Sequence, residues 1–300
     1  MAEAAGANAA GLILTELARA KVNLTLRIVG RRPDGYHELV SFVAFTDIGD
    51  EITLAIGAEP QVSVTGSFAA DISGRNLVAE ALSRLGKAEP RLRLGAVTIE
   101  KNLPVAAGLG GGSADAAATL RAVRRANPEF AGTFDWHGLA AGLGADVPVC
   151  LANAPALMWG IGEKVRAVHG LPPLPAVLAN PGVPVPPSKS AEVFRRLAAP
   201  AVPRALADPE PPPAFASLDD AITYLQRRAN DLSEPARDLI PACREVEAAL
   251  ATCIGCRLVR ISGAGPTCYG LFTSPDRARS AAATLSQSHP RWWVRAVTLA

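Results

Sequence analysis

The chain has 300 residues, 49% hydrophobic and 19% charged, enough apolar material for one large folded unit or two ordinary ones and too much for a disordered chain. Lys and Arg number 30 against 28 Asp and Glu, a formal charge of +2, so no global field favours nucleic acid or an anionic membrane and any anion must be bound locally. No run approaches the roughly 18 apolar residues of a membrane helix, and Met1 to Thr15 carries Glu3 with no Lys or Arg, unlike a secretion signal.

A cytoplasmic protein is expected, with residues 1–16 as a loosely ordered, Ala/Gly-rich leader. The 5 Cys are an odd number in a large chain and read as reduced thiols. Cys253-Ile254-Gly255-Cys256 has no second ligand pair near it, so two half-buried thiols are expected there. The 4 His lack metal-ligand spacing, and no protein metal site is predicted.

From Val22 the sequence alternates, with Val22, Leu24, Leu26 and Ile28 on one face and Asn23, Thr25 and Arg27 on the other: a half-buried strand. Lys21 and Asn23 share its polar face. Lys is scarce beside Arg in this chain, so Lys21 is either a group with chemistry to do or a strand-edge cation in solvent. Gly30 to Glu38 reads as a turn with Asp34-Gly35 at its tip, leaving Tyr36 and His37 exposed, for packing or for ligand contact.

Glu51–Ile56 and Gln61–Thr65 alternate as a pair of antiparallel strands. Asn76–Leu85 is a predicted helix with Leu77, Ala81, Leu82 and Leu85 as its apolar stripe, and Leu92–Glu100 a strand.

That strand feeds Leu103-Pro104-Val105-Ala106-Ala107-Gly108-Leu109-Gly110-Gly111-Gly112-Ser113-Ala114-Asp115. The glycines free the backbone to take positive φ and to aim several N–H groups at one point. A helix starting at Ser113 or Ala114, with Ala116, Ala117, Leu120 and Val123 on one face, would set its positive end just behind them, where an anion is stabilised. Neither a Gly-Lys-Ser/Thr ending nor a Gly-x-Gly-x-x-Gly pattern is present, so phosphate binding must use another arrangement.

After a short helix over Asp135–Leu143, Asp146 stands in the apolar run Gly144-Ala145-Asp146-Val147-Pro148-Val149. A buried carboxylate there needs a partner, Lys21 or a metal, unless it serves as an Asx turn or helix cap. The composition shifts at Met158 to Pro175, the expected domain boundary. Beyond it, Ala176–Asn180 is a strand among prolines, and helices are predicted over 191–197, 218–229 and 235–251. The chain then reads as strand 257–261, turn Ser262-Gly263-Ala264-Gly265-Pro266, strand 267–272, helix 275–286 and strand 292–298, an α+β module.

Pro104 with Gly108-Leu109-Gly110-Gly111-Gly112-Ser113-Ala114 resembles the phosphate loop of the GHMP kinases, the superfamily of galactokinase, homoserine kinase and mevalonate kinase. Ser262 to Pro266 is similar to their C-terminal glycine motif. Ala20-Lys21-Val22-Asn23-Leu24, Gly30-Arg31-Arg32, Asp34 to Leu39 and Gly142 to Pro148 resemble the members that phosphorylate the 2-hydroxyl of a cytidyl diphosphate sugar alcohol in non-mevalonate isoprenoid synthesis. In other members there is no cytosine for Tyr36 and His37 to meet.

The resemblance implies an α+β fold of two domains. One, over 17–160, is ribosomal S5-like with a left-handed crossover, against the usual handedness; the other, over 161–300, is ferredoxin-like. It implies ATP and Mg²⁺ as cofactors, a small-molecule substrate, no nucleic acid or membrane partner, and a monomer or weak homodimer. Lys21 and Asp146 are implied as catalytic, Lys21 holding the substrate hydroxyl while Asp146 accepts its proton or orients it. Gly108, Leu109, Gly110, Gly111, Gly112 and Ser113, entered through Pro104, would cradle the phosphates. Asn76 and Lys101 would lie near the nucleotide, with Gly263 and Gly265 closing the site. Asn23, Tyr36, His37 and Phe194 would bind the cytidine-bearing substrate. Ala114 departs from a pattern that often has a second Ser, which leaves more of the binding to backbone N–H groups.

Overall fold

The computed structural model of the chain describes residues 11–72, 74–186, 188–202 and 208–300. The first ten residues of the expected leader lie outside this range, and strand β1 (Ile13–Arg31) begins before the leader was expected to end. β1 runs antiparallel to β2 (His37–Ile56) around the predicted turn, where Gly35 takes φ +89°. A side chain is disfavoured in that conformation.

The middle of β1 is buried on both faces, where half-burial was expected. Val22 and Leu24 pack with Tyr269 and Leu271, while Lys21 and Asn23 on the other face are 4% and 3% exposed. A solvent-edge role for Lys21 is thereby excluded. β2 spans twenty residues, not the six expected from Glu51. Its first half is nearly all buried, so it shows no period-2 alternation to read.

β3 (Val62–Thr65) does not pair with β2. After α1 (Leu77–Ala88), β4 (Gly95–Glu100) comes between them, antiparallel to β2 and parallel to β3. The expected hairpin fails because β1 and β4 already occupy the two edges of β2 over residues 51–56. α1 buries Val78 instead of Leu77 in its stripe, and Asn76 caps it.

α2 (Gly111–Ala126) starts two residues before Ser113, because Gly110 at φ +66° serves as its N-cap. Its alanines are buried almost all round, which lets the helix lie close on β1 and β2. α3 (Trp136–Leu143) starts at the Asp135 cap and α4 (Val147–Ala152) at Asp146. β5 (Ala156–Gly160) and β6 (Lys164–Ala167) then complete the first sheet, β5 along Leu39–Val43 of β2 and β6 along β5. These strands lie across the expected boundary region and carry the first sheet past residue 160.

β7 (Leu174–Asn180) opens the second sheet, followed by α5 (Lys189–Leu197) and α6 (Leu218–Gln226). The single helix expected over 235–251 is two, α7 (Ser233–Leu239) and α8 (Ala242–Ala251). Pro241 supplies no N–H and clashes with a helical residue before it, and Ile240 accordingly sits at φ −131°, ψ 81°. β8 (Cys256–Ile261), β9 (Cys268–Phe272), α9 (Pro275–Ser288) and β10 (Trp293–Leu299) follow as predicted in type and order. The strands align as β10-β7-β9-β8, all antiparallel, and the pairing of Leu299 with Thr46 joins this sheet to the first. The architecture is the α+β arrangement expected. Among the described residues no helix is long and apolar enough to cross a membrane.

Candidate active site

The register of β1 against β2 shifts between Arg19 and Lys21 and again between Asn23 and Thr25. Such irregularities re-aim side chains, and here they bracket the two polar residues of the strand. Lys21 Nζ donates to Asn23 Oδ1 at 2.9 Å, and Asn23 Nδ2 donates to Ser41 Oγ at 2.7 Å. Ser41 in turn donates to the Thr25 carbonyl at 2.6 Å. This chain of bonds holds the buried amine in one place.

Asp146 precedes α4 without capping it through its side chain. Its carboxylate is free to meet Lys21, Oδ2 lying 3.1 Å from Nζ. It is not the buried group expected: the side chain is 35% exposed, against 5% for Lys21. The pair therefore presents an open acid over a sequestered amine.

Gly110 faces this pair. A Cβ built on it would lie 3.3 Å from Lys21 Cε and 3.8 Å from Asp146 Oδ2. The Leu109 carbonyl accepts from Lys21 N at 2.9 Å, while the Leu109 side chain points into the core and lies off the cavity. Of the expected loop residues, Pro104, Gly108, Gly110, Gly111, Gly112 and Ser113 line the cavity.

The turn Ser262 to Pro266 packs directly on this loop. Ser262 Oγ donates to the Gly108 carbonyl at 2.9 Å, Thr267 N donates to the Ala107 carbonyl at 3.1 Å, and a Cβ on Gly108 would strike the Ser262 carbonyl. Gly263 reaches the cavity beside Asn23, whereas Gly265 lies behind it. The Gly265 carbonyl accepts from Lys189 Nζ, which also donates to the Ala106 carbonyl at 2.8 Å.

Beneath Gly111 lies a buried cluster that no sequence motif announces. Lys101 Nζ pairs with Asp50 and, at 2.8 Å, with Asp115. Burial alone would lower the Lys101 pKa, but the carboxylates of Asp115 and Asp50 outweigh it and hold it above the usual lysine value. Burial and the neighbouring Asp50 push Asp115 up to about 7, against the pull of Lys101. Asp115 Oδ1 is buried with no hydrogen-bond partner among the described residues. Asn76 lines the same cavity, its Oδ1 committed to the N–H groups of Val78 and Ala79.

On the wall of the same cavity His37 and Phe194 meet with ring centroids 4.9 Å apart, next to Tyr36, which is 59% exposed. Burial, with Arg31 nearby, lowers the His37 pKa, which favours the neutral ring. The cavity is about 1150 Å³, beyond the roughly 300–1,000 Å³ usual for one small ligand. It has room for two ligands. Among the described residues no group of three His, Cys, Asp or Glu side chains is placed to hold a metal, and Cys253 and Cys256 are half-buried free thiols.

Thus Lys21, Asp146, Asn23, the glycine loop, Asn76, Lys101, Gly263, Tyr36, His37 and Phe194 converge on one cavity, and Leu109 and Gly265 support it from behind. Sequence reading missed Asp50, Asp115 and Lys189. Asp115 stood in plain view within the loop motif but read only as the start of a helix, and Asp50 and Lys189 carried no local signal.

Comparison with known proteins identifies the family. The family model of the GHMP kinases N terminal domain matches residues 76–157, and that of the GHMP kinases C terminal domain matches residues 213–291. The chain is 47% identical over 284 residues to the 4-diphosphocytidyl-2-C-methyl-D-erythritol kinase of Parvibaculum lavamentivorans, covering 94% of this chain and 96% of that one. Its identity to the protein of the same name in Rhodopseudomonas palustris is 46%, covering 96% and 98%. A crystal structure of 4-(cytidine 5'-diphospho)-2C-methyl-D-erythritol kinase aligns with TM-score 0.71 and 34% identity over 95% of this chain and 99% of that one. Homoserine kinase from Cytophaga hutchinsonii shares the fold, with TM-score 0.66 at 18% identity over 95% of each chain. The chain belongs to the GHMP kinase family, in its 4-diphosphocytidyl-2-C-methyl-D-erythritol kinase branch.

Proposed function

We propose that this chain transfers the γ-phosphoryl group of ATP to the 2-hydroxyl of 4-diphosphocytidyl-2-C-methyl-D-erythritol, giving the 2-phosphate and ADP. The observation that carries the reading is the Lys21–Asp146 pair set against Gly110 of the glycine loop. Lys21, fixed by Asn23, holds the alcohol oxygen and offsets the negative charge that develops on it. Asp146, open to the cavity, accepts the hydroxyl proton or orients the hydroxyl for in-line attack. The N–H groups at the start of α2 hold the phosphates.

Tyr36 stacks on the cytosine, and neutral His37 hydrogen-bonds to it, with Phe194 against the imidazole. Cations outnumber acids on the cavity wall, as a ligand pair rich in phosphate requires. Mg²⁺ would enter with the phosphates, an ion that needs no more than one or two carboxylates from the protein, and Asp115 and Asp146 are the carboxylates on the cavity wall. When bound, the ion neutralises charge on the transferred group.

The test is ADP release with three alcohols: the cytidyl diphosphate substrate, mevalonate and homoserine. Turnover is expected with the first alone, with the new phosphate located on its 2-hydroxyl by phosphorus NMR. Equal turnover of mevalonate would remove the base-reading role from Tyr36 and His37.

A further inference from the structure

Lys189 differs from the other lysines of the cavity. Lys21 is answered by Asp146, and Lys101 by Asp50 and Asp115, whereas Lys189 has no carboxylate within salt-bridge reach among the described residues. Its side chain is buried, the residue being 3% exposed, and among the described residues Nζ donates only to the carbonyls of Ala106 and Gly265. An ammonium has three donors, so one N–H and a full unit of charge remain unmatched. Burial brings its pKa down to about 8, and the ammonium of Lys21 adds to this against an opposing pull from Cys243.

A tether between two carbonyls needs donors but no charge. A neutral amide would join the same two loops without the cost of desolvating an ion. The charge becomes favourable once an anion enters the cavity. Position identifies which anion: Lys189 opens α5, the helix that also carries Phe194 against His37, and it grips the two glycine segments that back the Lys21–Asp146 pair. It lines the same cavity as Tyr36 and His37, assigned to the base, and as the Lys21–Asp146 pair, assigned to the reacting alcohol.

We propose that Lys189 binds a phosphate oxygen of the cytidyl diphosphate portion of the substrate and thereby sets the distance between base and alcohol. The inference rests on the substrate reading above and adds a residue to it. The chemistry recognised is a phosphate oxygen, which ATP could also supply, so the test separates the two sources.

Calorimetric titration of the full chain with cytidine, cytidine diphosphate and ADP is compared between wild type and Lys189→Gln, which keeps donors for both carbonyls but loses the charge. Cytidine diphosphate is expected to bind about tenfold more weakly to the variant, the size of a lost charge-assisted hydrogen bond. Cytidine and ADP should bind within about twofold of wild type, and Lys189→Arg should recover most of the loss. Equal weakening of cytidine would make Lys189 a tether only. Weakening of ADP alone would assign its charge to the nucleotide, and unchanged binding of all three would leave it no ligand role. Wild-type protein that binds neither cytidine nor its diphosphate would overturn the substrate reading, and this one with it.

Discussion

Lys21 Nζ lies 3.1 Å from Asp146 Oδ2 as an ion pair and donates a 2.9 Å hydrogen bond to Asn23 Oδ1, so among the described residues one of its three donors is committed and donors remain for a ligand. The amine is buried and the acid is open, an arrangement that suits the roles proposed for them, a fixed charge and a carboxylate within reach of the alcohol. Replacing the amine by an apolar chain of similar length removes the charge and keeps the shape. Lys21→Met is expected to lower kcat by about two to three orders of magnitude, the usual effect of losing a preorganised charge-stabilising donor. Nucleotide affinity, followed by titration with a fluorescent ATP analogue, should stay within a few-fold. A large loss of nucleotide affinity with kcat intact would make Lys21 a phosphate-binding residue only.

Tyr36 is the exposed aromatic beside His37 and Phe194. Base–aromatic stacking contributes roughly 1–3 kcal/mol, so Tyr36→Ala should raise KM for the cytidyl substrate by about tenfold or more. kcat at saturation and KM for ATP should change little. Steady-state kinetics with each substrate varied in turn distinguishes this from a loss of fold, which would affect all three.

Gly108 takes φ +82°, and a Cβ there would collide with the Ser262 carbonyl and lie 2.7 Å from Gly265 O. Gly108→Ala must therefore push the glycine loop off the C-terminal turn. The expected outcome is a Tm lowered by several degrees together with weakened binding of nucleotide. The contrast is Gly112→Ala: Gly112 is helical with nothing within 4 Å of a Cβ, and no fall in Tm is expected. Equal melting of both variants would mean that the close approach of the two loops does not matter.

Asp115, pushed up to about 7 chiefly by burial, should leave a signature in stability. An unfolded Asp titrates near 3.9, so between about pH 4 and 7 the folded chain holds a proton that the unfolded chain has lost. Stability from this group is full below about pH 4 and is lost as pH rises through 7. Urea unfolding of Asp115→Asn and wild type at pH 5 and pH 8 measures it. The variant should gain relative to wild type at pH 8, by an amount on the order of a few kcal/mol. A constant difference between the two pH values would place the titration elsewhere.

Much of the fold could be read along the chain because local signals agreed with the final structure. The helices expected from Asn76, Asp135 and Pro275, whose starts the caps Asn76, Asp135 and Ser274 fix, and the strand–helix order after Cys256 are of this kind. What escaped was set by partners distant in sequence. The long β2 is buried on both faces and shows no alternation, and β4 takes the edge that β3 was expected to occupy. Within the site, the glycine loop was legible from residue type and spacing, whereas Lys21 and Asp146 stood open between a chemical and a structural role until the family resemblance paired them. The register shifts that aim Lys21 and Asn23, and the meeting of Asp50 with Lys101 and Asp115, depend on pairing across the sheet and leave no trace in any one segment. Pro241 was a local signal that the apolar periodicity of residues 235–251 outweighed, and the proline decided the outcome.

The central claim is that Asp146 acts on the alcohol and leaves the nucleotide to others. Rapid-quench measurement of one turnover by Asp146→Ala, with ATP binding titrated on the same preparation, tests it most directly. The account predicts a rate lower by about two to four orders of magnitude, the range for a lost general acid–base group, with ATP affinity within a few-fold of wild type. A variant that transfers the phosphoryl group at close to the wild-type rate would take the carboxylate out of the mechanism.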